Sequence, residues 1–405
     1  MAHDFGPRTR LIHGNQGFDH GEFRSHAFPI FQTSTFKFDS VEDGKQIFSG
    51  ISKHDAYSRI SNPNHRQLED RLCILEEGEA AQVFDSGMSA IKVALMSFIR
   101  SRSHIVAHNN LYGGTCGLLK ELGNFGVETT FVDAKDASNV IHALTPETKI
   151  VFLETPSNPM LDICDFEEIK HFLRIMERND IIIMIDNTFA TPCNQKPLTR
   201  GADIVIHSLT KYICGSGKYI GGAIVTSQEL MRVVWERHSG SGGMMDPETA
   251  ANITINVMSI YDRVQRHNDN ASKIALWLKN KQSVAKVYYP GLFNHPNHDV
   301  AARLMSGFGG MISFRLAGAD NSKTATFLNQ LANDERNGEG IITLSVSLGS
   351  VDTLICCPAL STHLKILPEE RLAQGITDDL IRLSVGTEDV EDIIYSLERG
   401  FQIIA

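Results

Sequence analysis

Five short stretches of this sequence put chemically capable side chains directly after apolar runs. Ser208-Leu209-Thr210-Lys211 follows ADIVIH, Asp186-Asn187-Thr188 follows IIIMI, and Thr155-Pro156-Ser157-Asn158-Pro159 follows KIVFLE. Tyr112-Gly113-Gly114-Thr115 comes soon after HIVAH, and Asp85-Ser86-Gly87-Met88 comes after AAQVF. A lysine beside two hydroxyls can act as a nucleophile or proton carrier, a carboxylate can face a cationic nitrogen, and an aromatic ring can stack on a flat ligand. Ser86 and the amides of Gly87 and Met88, opening a helix, can cradle a phosphate together with the hydroxyls of Ser208 and Thr210. Taken singly, each also has an ordinary reading as a turn glycine, a loop proline or a helix cap.

What joins them is the set of elements that carries them. The runs AAQVF (80–84), HIVAH (104–108), VETTFVD (127–133), KIVFLE (149–154), IIIMID (181–186), ADIVIHS (202–208) and IGGAIVT (220–226) are separated mostly by segments of helical length. Such alternation predicts parallel βαβ units with helices on both faces of a sheet, and IIIMI, apolar on both strand faces, fits a central strand. Ligands of open α/β sheets bind at the carboxyl ends of the strands, so one rim would gather a lysine, an acid, a ring and a phosphate cradle. That is the set of groups pyridoxal phosphate requires: a lysine for the covalent link, an acid opposite the pyridinium nitrogen, and anchors for the phosphate. Competing motifs fail. ICGSGKYIGG (213–222) lacks the outer glycine and the hydroxyl residue of a nucleoside-triphosphate loop, no G-x-G-x-x-G follows the first strand, and sixteen histidines form no H-E-x-x-H, so no metal is expected.

The rest of the chain sets limits. At 405 residues two or three domains are expected. The formal charge of −10 argues against a nucleic-acid or anionic-membrane surface, and no apolar run is long enough to span a bilayer. Seven scattered cysteines without a C-x-x-C pair suggest neither a disulfide framework nor structural zinc, and the first residues, MAHDFGPRTRLIHG, contain no secretory core, so a cytoplasmic protein is expected. Residues 1–60, rich in turn formers such as HGNQGFDHGEF, read as an arm lying over other structure. From Asn62 a helix is signalled by the cap, by Pro63 at its first position, by Leu68, Leu72 and Leu75 on one face, and by Gly78 as terminator. Residues 61–250 are expected to form the α/β unit, and residues 251–405 a smaller α+β domain led in by one long helical stretch over 247–282. A further helix is predicted within 320–340, ending in a polar loop.

These residues match a family. The chain resembles the pyridoxal-phosphate enzymes of transsulfuration, the group holding cystathionine γ-lyase, methionine γ-lyase, cystathionine γ-synthase and the homoserine-ester sulfhydrylases. The match runs almost end to end, through HAFPIFQTSTFKFDS (26–40), AYSRISNP (56–63), SGMSAI (86–91), LYGGT (111–115), ETPSNPML (154–161), IDNTFATP (185–192), HSLTKY (207–212), VYYPGL (287–292), SVSLGSVDTL (345–354) and GITDDLIRLSVGTEDVEDI (375–393). The resemblance implies an aspartate-aminotransferase-like fold and a homo-oligomer, a dimer of dimers, with shared active sites. It implies Lys211 as the Schiff-base lysine, Asp186 as partner of the pyridinium nitrogen, and Tyr112 as the stacked ring and acid for the leaving group. Ser86, Gly87, Met88, Ser208 and Thr210 would hold the phosphate, with Tyr57 and Arg59 donated from a neighbouring subunit. Asn158, Ser347 and Arg382 would grip the substrate carboxylate.

Against that pattern, Gly114 stands where methionine γ-lyases place a cysteine, and Ala56 and Val346 stand where cystathionine γ-lyases often carry acids. Ser216-Gly217-Lys218 is nearer to sulfhydrylases, and Ile255–Ile260 replaces an Arg-Gly-x-Lys-Thr-Leu. Ala56 and Val346 are expected to line the region of the substrate's distal end. The expected reaction is carbon–sulfur γ-elimination on a small-molecule sulfur amino acid. Replacement at Cγ by a thiol is the alternative, and a catalytically silent interaction protein on the same fold is the remote one.

Overall fold

The structure, a computed structural model, describes residues 5–14, 24–49, 51–52, 54–364 and 366–404. Most of the turn-rich stretch HGNQGFDHGEF, at residues 15–23, lies outside them. All seven predicted runs are strands: β1 Ala80–Phe84, β2 His104–His108, β3 Glu128–Val132, β4 Thr148–Glu154, β5 Ile182–Asp186, β6 Ile204–Ser208 and β7 Gly222–Thr226. They form one sheet in the order β1-β7-β6-β5-β4-β2-β3. Side chains alternate between two buried layers. Ile105, Ile150, Phe152, Met184 and Ile206 pack on one face, while Val106, Val151, Leu153, Ile183 and Ile185 pack on the other. Burial on both faces explains why these strands read as continuous apolar runs.

The sheet is mainly rather than wholly parallel. β7 runs antiparallel to both β6 and β1, because the chain from Leu209 to Gly221 turns back without the crossover helix that a parallel neighbour would need. That compact return carries Lys211. The helix predicted from Asn62 spans Pro63–Glu76, with the Asn62 side chain accepting the Asn64 amide and Leu68, Leu72 and Leu75 fully buried. Its terminator differs from expectation: Glu77, not Gly78, takes the left-handed conformation, at φ 57. Gly78 is small for a different reason, since a Cβ there would sit 2.5 Å from Val225 Cγ1.

The expected long helix over 247–282 is two helices, Pro247–Val257 and Ile260–Lys279. The first lies in the core beside Leu68 and Leu72, and the second passes from that core, at Ile260 and Val264, into the C-terminal core, at Ala271 and Ile274. The break is bound by Arg263, which donates to the Asn256, Tyr212 and Ile213 carbonyls at 2.9, 2.7 and 3.0 Å. The Ser259 amide and hydroxyl share that Asn256 carbonyl, at 3.3 and 3.1 Å. The C-terminal sheet has the order β10-β11-β12-β9-β8, from β8 Val284–Tyr288, β9 Met311–Leu316, β10 Thr343–Leu344, β11 Leu354–Cys356 and β12 Leu380–Ser384. The helix read within 320–340 spans Asn321–Asn337, capped by Asp320 and ended by left-handed Gly338. Among the described arm residues, two short helices form, Pro7–His13 and Val41–Phe48, which the turn-rich composition had not suggested. No helix among the described residues is long and apolar enough to cross a membrane.

Candidate active site

At the carboxyl ends of β4, β5 and β6 the chain encloses a cavity of 370 Å³. Ser86, Gly87 and Met88 line it from the start of the helix Gly87–Phe98, and Ser208, Thr210 and Lys211 line it from the turn after β6. Buried Asp186 and exposed Tyr112 also line it, while Asn158 reaches it from the loop after β4 and Val346, Ser347 and Arg382 from the C-terminal part of the chain. Two open grooves elsewhere are larger, at 490 and 480 Å³, but among the described residues no lysine lines either.

Geometry gives each group a definite state. The Lys211 amine donates to Ser347 Oγ at 2.8 Å. Burial, and then the Arg382 cation, bring its pKa down to about 8, so a neutral amine is accessible near physiological pH. Asp186 Oδ1 accepts both the hydroxyl and the amide of Thr188, at 2.6 and 3.1 Å, which orients the carboxyl and leaves Oδ2 for a ligand. Burial raises the Asp186 pKa, while the Thr188 bonds and nearby His207 act to lower it. The Thr188 hydroxyl also accepts the Ser208 amide at 2.9 Å, tying the acid to the lysine's turn. Arg382, itself buried, donates to Asn158 Oδ1 and to the Ser347 carbonyl, each at 3.0 Å. Ser347 is held at φ 78, a strained conformation for a non-glycine residue that its contacts with Lys211 and Arg382 over-determine.

The cavity fits pyridoxal phosphate. Ser86 caps its helix by accepting the Ser89 amide, and the amides of Gly87 and Met88 lie ahead of the first intrahelical bonds, where an anion is favoured. A Cβ at Gly87 would sit 3.0 Å from the Ser208 Cβ, so only glycine lets these two segments of the cradle meet so closely. Thr210 contributes differently from expectation, since its hydroxyl both donates to the Gly221 carbonyl and accepts the Gly221 amide, fastening the turn as well as facing the cavity.

Matches to other proteins agree with this arrangement. A family model described as Cys/Met metabolism PLP-dependent enzyme matches residues 8–402. The chain belongs to that family. It is 42% identical to an L-methionine gamma-lyase of Fusobacterium nucleatum subsp. polymorphum over 99% of both chains, and 38% identical to a cystathionine gamma-lyase of Bacillus subtilis over 98% of this chain and 99% of that one. A crystal structure of cystathionine gamma-lyase from Lactobacillus plantarum complexed with L-serine superimposes with a TM-score of 0.89 at 37% identity, covering 99% of each chain. The fold, the cofactor and the enzyme class expected from the sequence, a pyridoxal-phosphate-dependent lyase, therefore stand.

Ala56, Tyr57 and Arg59 do not line the cavity of their own chain. Asp55 forms an ion pair with Arg66, Tyr57 bridges to Thr35, and the Arg59 guanidinium donates to the Ser239 carbonyl at the end of the helix Gln228–Ser241. These contacts tie the segment to its own chain. Other cavity residues were given no role by the sequence: Glu154, Thr188 and Thr362 among the polar ones, and Ile91, Phe189, Ile220 and Leu348 among the apolar ones. Glu154 ends KIVFLE and opens ETPSNPML, so its position after a strand was the available signal.

Proposed function

We propose that this enzyme catalyses γ-elimination on sulfur amino acids whose distal group is small and uncharged, of the methionine and homocysteine type, releasing a thiol, ammonia and an oxo acid. The observation that carries this reading is the cavity lining. Among the described residues its acids are Glu154 and Asp186, both deep, while Val346, Ile220, Phe189, Ile91 and Leu348 supply apolar surface. A distal ammonium would meet no partner there, and an unpaired charge is costly to desolvate. Relatives named methionine gamma-lyase support the same direction.

Bound pyridoxal phosphate supplies the electron sink for charge left on the substrate as protons depart. The chain's own groups do the rest. Arg382 and Asn158 grip the carboxylate, and Lys211 Nζ, with its depressed pKa, takes the Cα proton. Asp186 would face the ring nitrogen, a second proton would leave Cβ to the same amine, and the Tyr112 hydroxyl would give a proton to the departing sulfur. Homocysteine or methionine, with no added thiol, should yield ammonia and an oxo acid. Product formation only with an acyl-homoserine and a thiol would establish replacement instead.

Specificity gives a second test. Val346→Glu is expected to raise kcat/KM for cystathionine relative to methionine by about fivefold, since a pair at this half-exposed site is worth about 1 kcal/mol. A wild type that already prefers cystathionine, or a variant that depresses all substrates equally, would overturn the assignment of Val346.

The enzyme acts in the cytoplasm as a dimer of dimers, with Tyr57 and Arg59 completing a neighbouring subunit's site. Both are exposed and stacked on one another, with the guanidinium 5.4 Å from the Tyr57 ring centroid. Arg59→Ala should weaken cofactor binding by the ~1.5–3 kcal/mol of a charged hydrogen bond. Mixing that variant with Lys211→Ala subunits should restore one intact site per dimer. Subunits that demonstrably exchange without regaining activity would return both residues to their own chain.

A further inference from the structure

Glu154 has no part in the chemistry described so far, yet its surroundings are specific. It ends β4 directly opposite Asp186 at the end of β5, it is almost fully buried, and it lines the cavity. Its two oxygens face two different segments. Oε2 accepts the backbone amide of Tyr112 at 2.8 Å, and Oε1 accepts the backbone amide of Asn158 at 2.9 Å. Asn158 in turn holds Arg382 through its side chain at 3.0 Å. A carboxylate with two acceptor oxygens can serve two amides at once, whereas a carboxamide has one acceptor and must present N–H to the other.

We infer that Glu154 is a positioning residue that sets the leaving-group acid Tyr112 and the carboxylate grip of Asn158 and Arg382 at a fixed separation, so that a substrate held at one end meets its proton donor at the other. This rests on the roles given above to Tyr112, Asn158 and Arg382. Burial and the neighbouring Asp186 push the Glu154 carboxyl well above the ordinary range, while the two amides and Arg382 draw it back. The bond to each amide therefore helps to hold a group that the site otherwise disfavours in charged form.

The test uses holoenzyme and reads the two ends separately. Norvaline, which has the carboxylate but no γ leaving group, reports the grip through the absorbance change on binding. The kcat for elimination reports Tyr112. Glu154→Gln should retain cofactor content and visible spectrum, yet lose about tenfold in one of the two readouts, since one amide loses its acceptor. Glu154→Asp, with both acceptors on a stem one carbon shorter, should lower both readouts together. The inference is overturned if both variants keep both readouts within twofold of wild type, or if the losses only track lost cofactor or lowered Tm, which would make Glu154 a structural residue alone. If Glu154→Gln fails to fold, Glu154→Asp still decides, because wild-type behaviour in both readouts refutes the idea. Norvaline binding needs no turnover, so a wild type that fails to eliminate would count against the proposed reaction and leave the comparison of grips intact.

Discussion

Lys211→Ala is expected to lose the visible absorption of the bound cofactor and to lower turnover by many orders of magnitude, while folding normally. The amine is the group that links to the cofactor and carries the Cα proton, and among the described residues no other lysine lines the cavity. Its removal spares the fold because its neighbours do the packing. Leu209 and Tyr212 are buried, the Lys211 carbonyl accepts the Gly215 amide at 2.8 Å, and Arg263 holds the Tyr212 carbonyl. Absorption spectra, circular dichroism and single-turnover assays of wild type and variant check this. A wild type reconstituted with pyridoxal phosphate that shows no visible band, or a variant that keeps the band, would end the assignment.

Arg382→Leu should cost about 10²–10⁴ in kcat/KM, because two charge-assisted hydrogen bonds to a substrate carboxylate are worth ~1.5–3 kcal/mol each. Arg382→Lys should recover only part of it, since an ammonium cannot reproduce the planar two-pronged contact. The decisive measurement is discrimination. Wild type should strongly prefer an amino acid over the matching amine without a carboxylate, and Arg382→Leu should erase most of that preference. A preserved preference would move the carboxylate elsewhere. The variant also has a pH signature. Arg382 is one of the two causes that bring Lys211 to about 8, and removing a nearby cation lets the amine hold its proton to higher pH. The midpoint for uptake of pyridoxal phosphate by the apoprotein should therefore shift upward, and an unmoved midpoint would show that the amine does not sense Arg382.

Much of the chain was legible locally. The seven strand runs, the Asn62 cap and the residues after each strand are written in short-range patterns, because pleat, helix period and cap chemistry act over a few residues. The motifs SGMSAI, IDNTFATP and HSLTKY carried the phosphate cradle, the acid and the lysine for the same reason: each lies within one turn of a strand end. Long-range relations were not legible in this way. That β7 runs antiparallel, that Glu154 stands opposite Asp186, and that Val346, Ser347 and Arg382 fold over a cavity built from residues far earlier in the chain depend on sheet order and register. So does the contact of Arg59 with the Ser239 carbonyl. Register and domain packing are decided by burial summed over whole faces, in which each residue contributes little and no short motif records the result. Sequence alone thus determined which side chains were available for chemistry and on which elements they ride; the tertiary structure alone decided which of them share a cavity, because only packing brings strand ends and a distant domain within hydrogen-bonding distance.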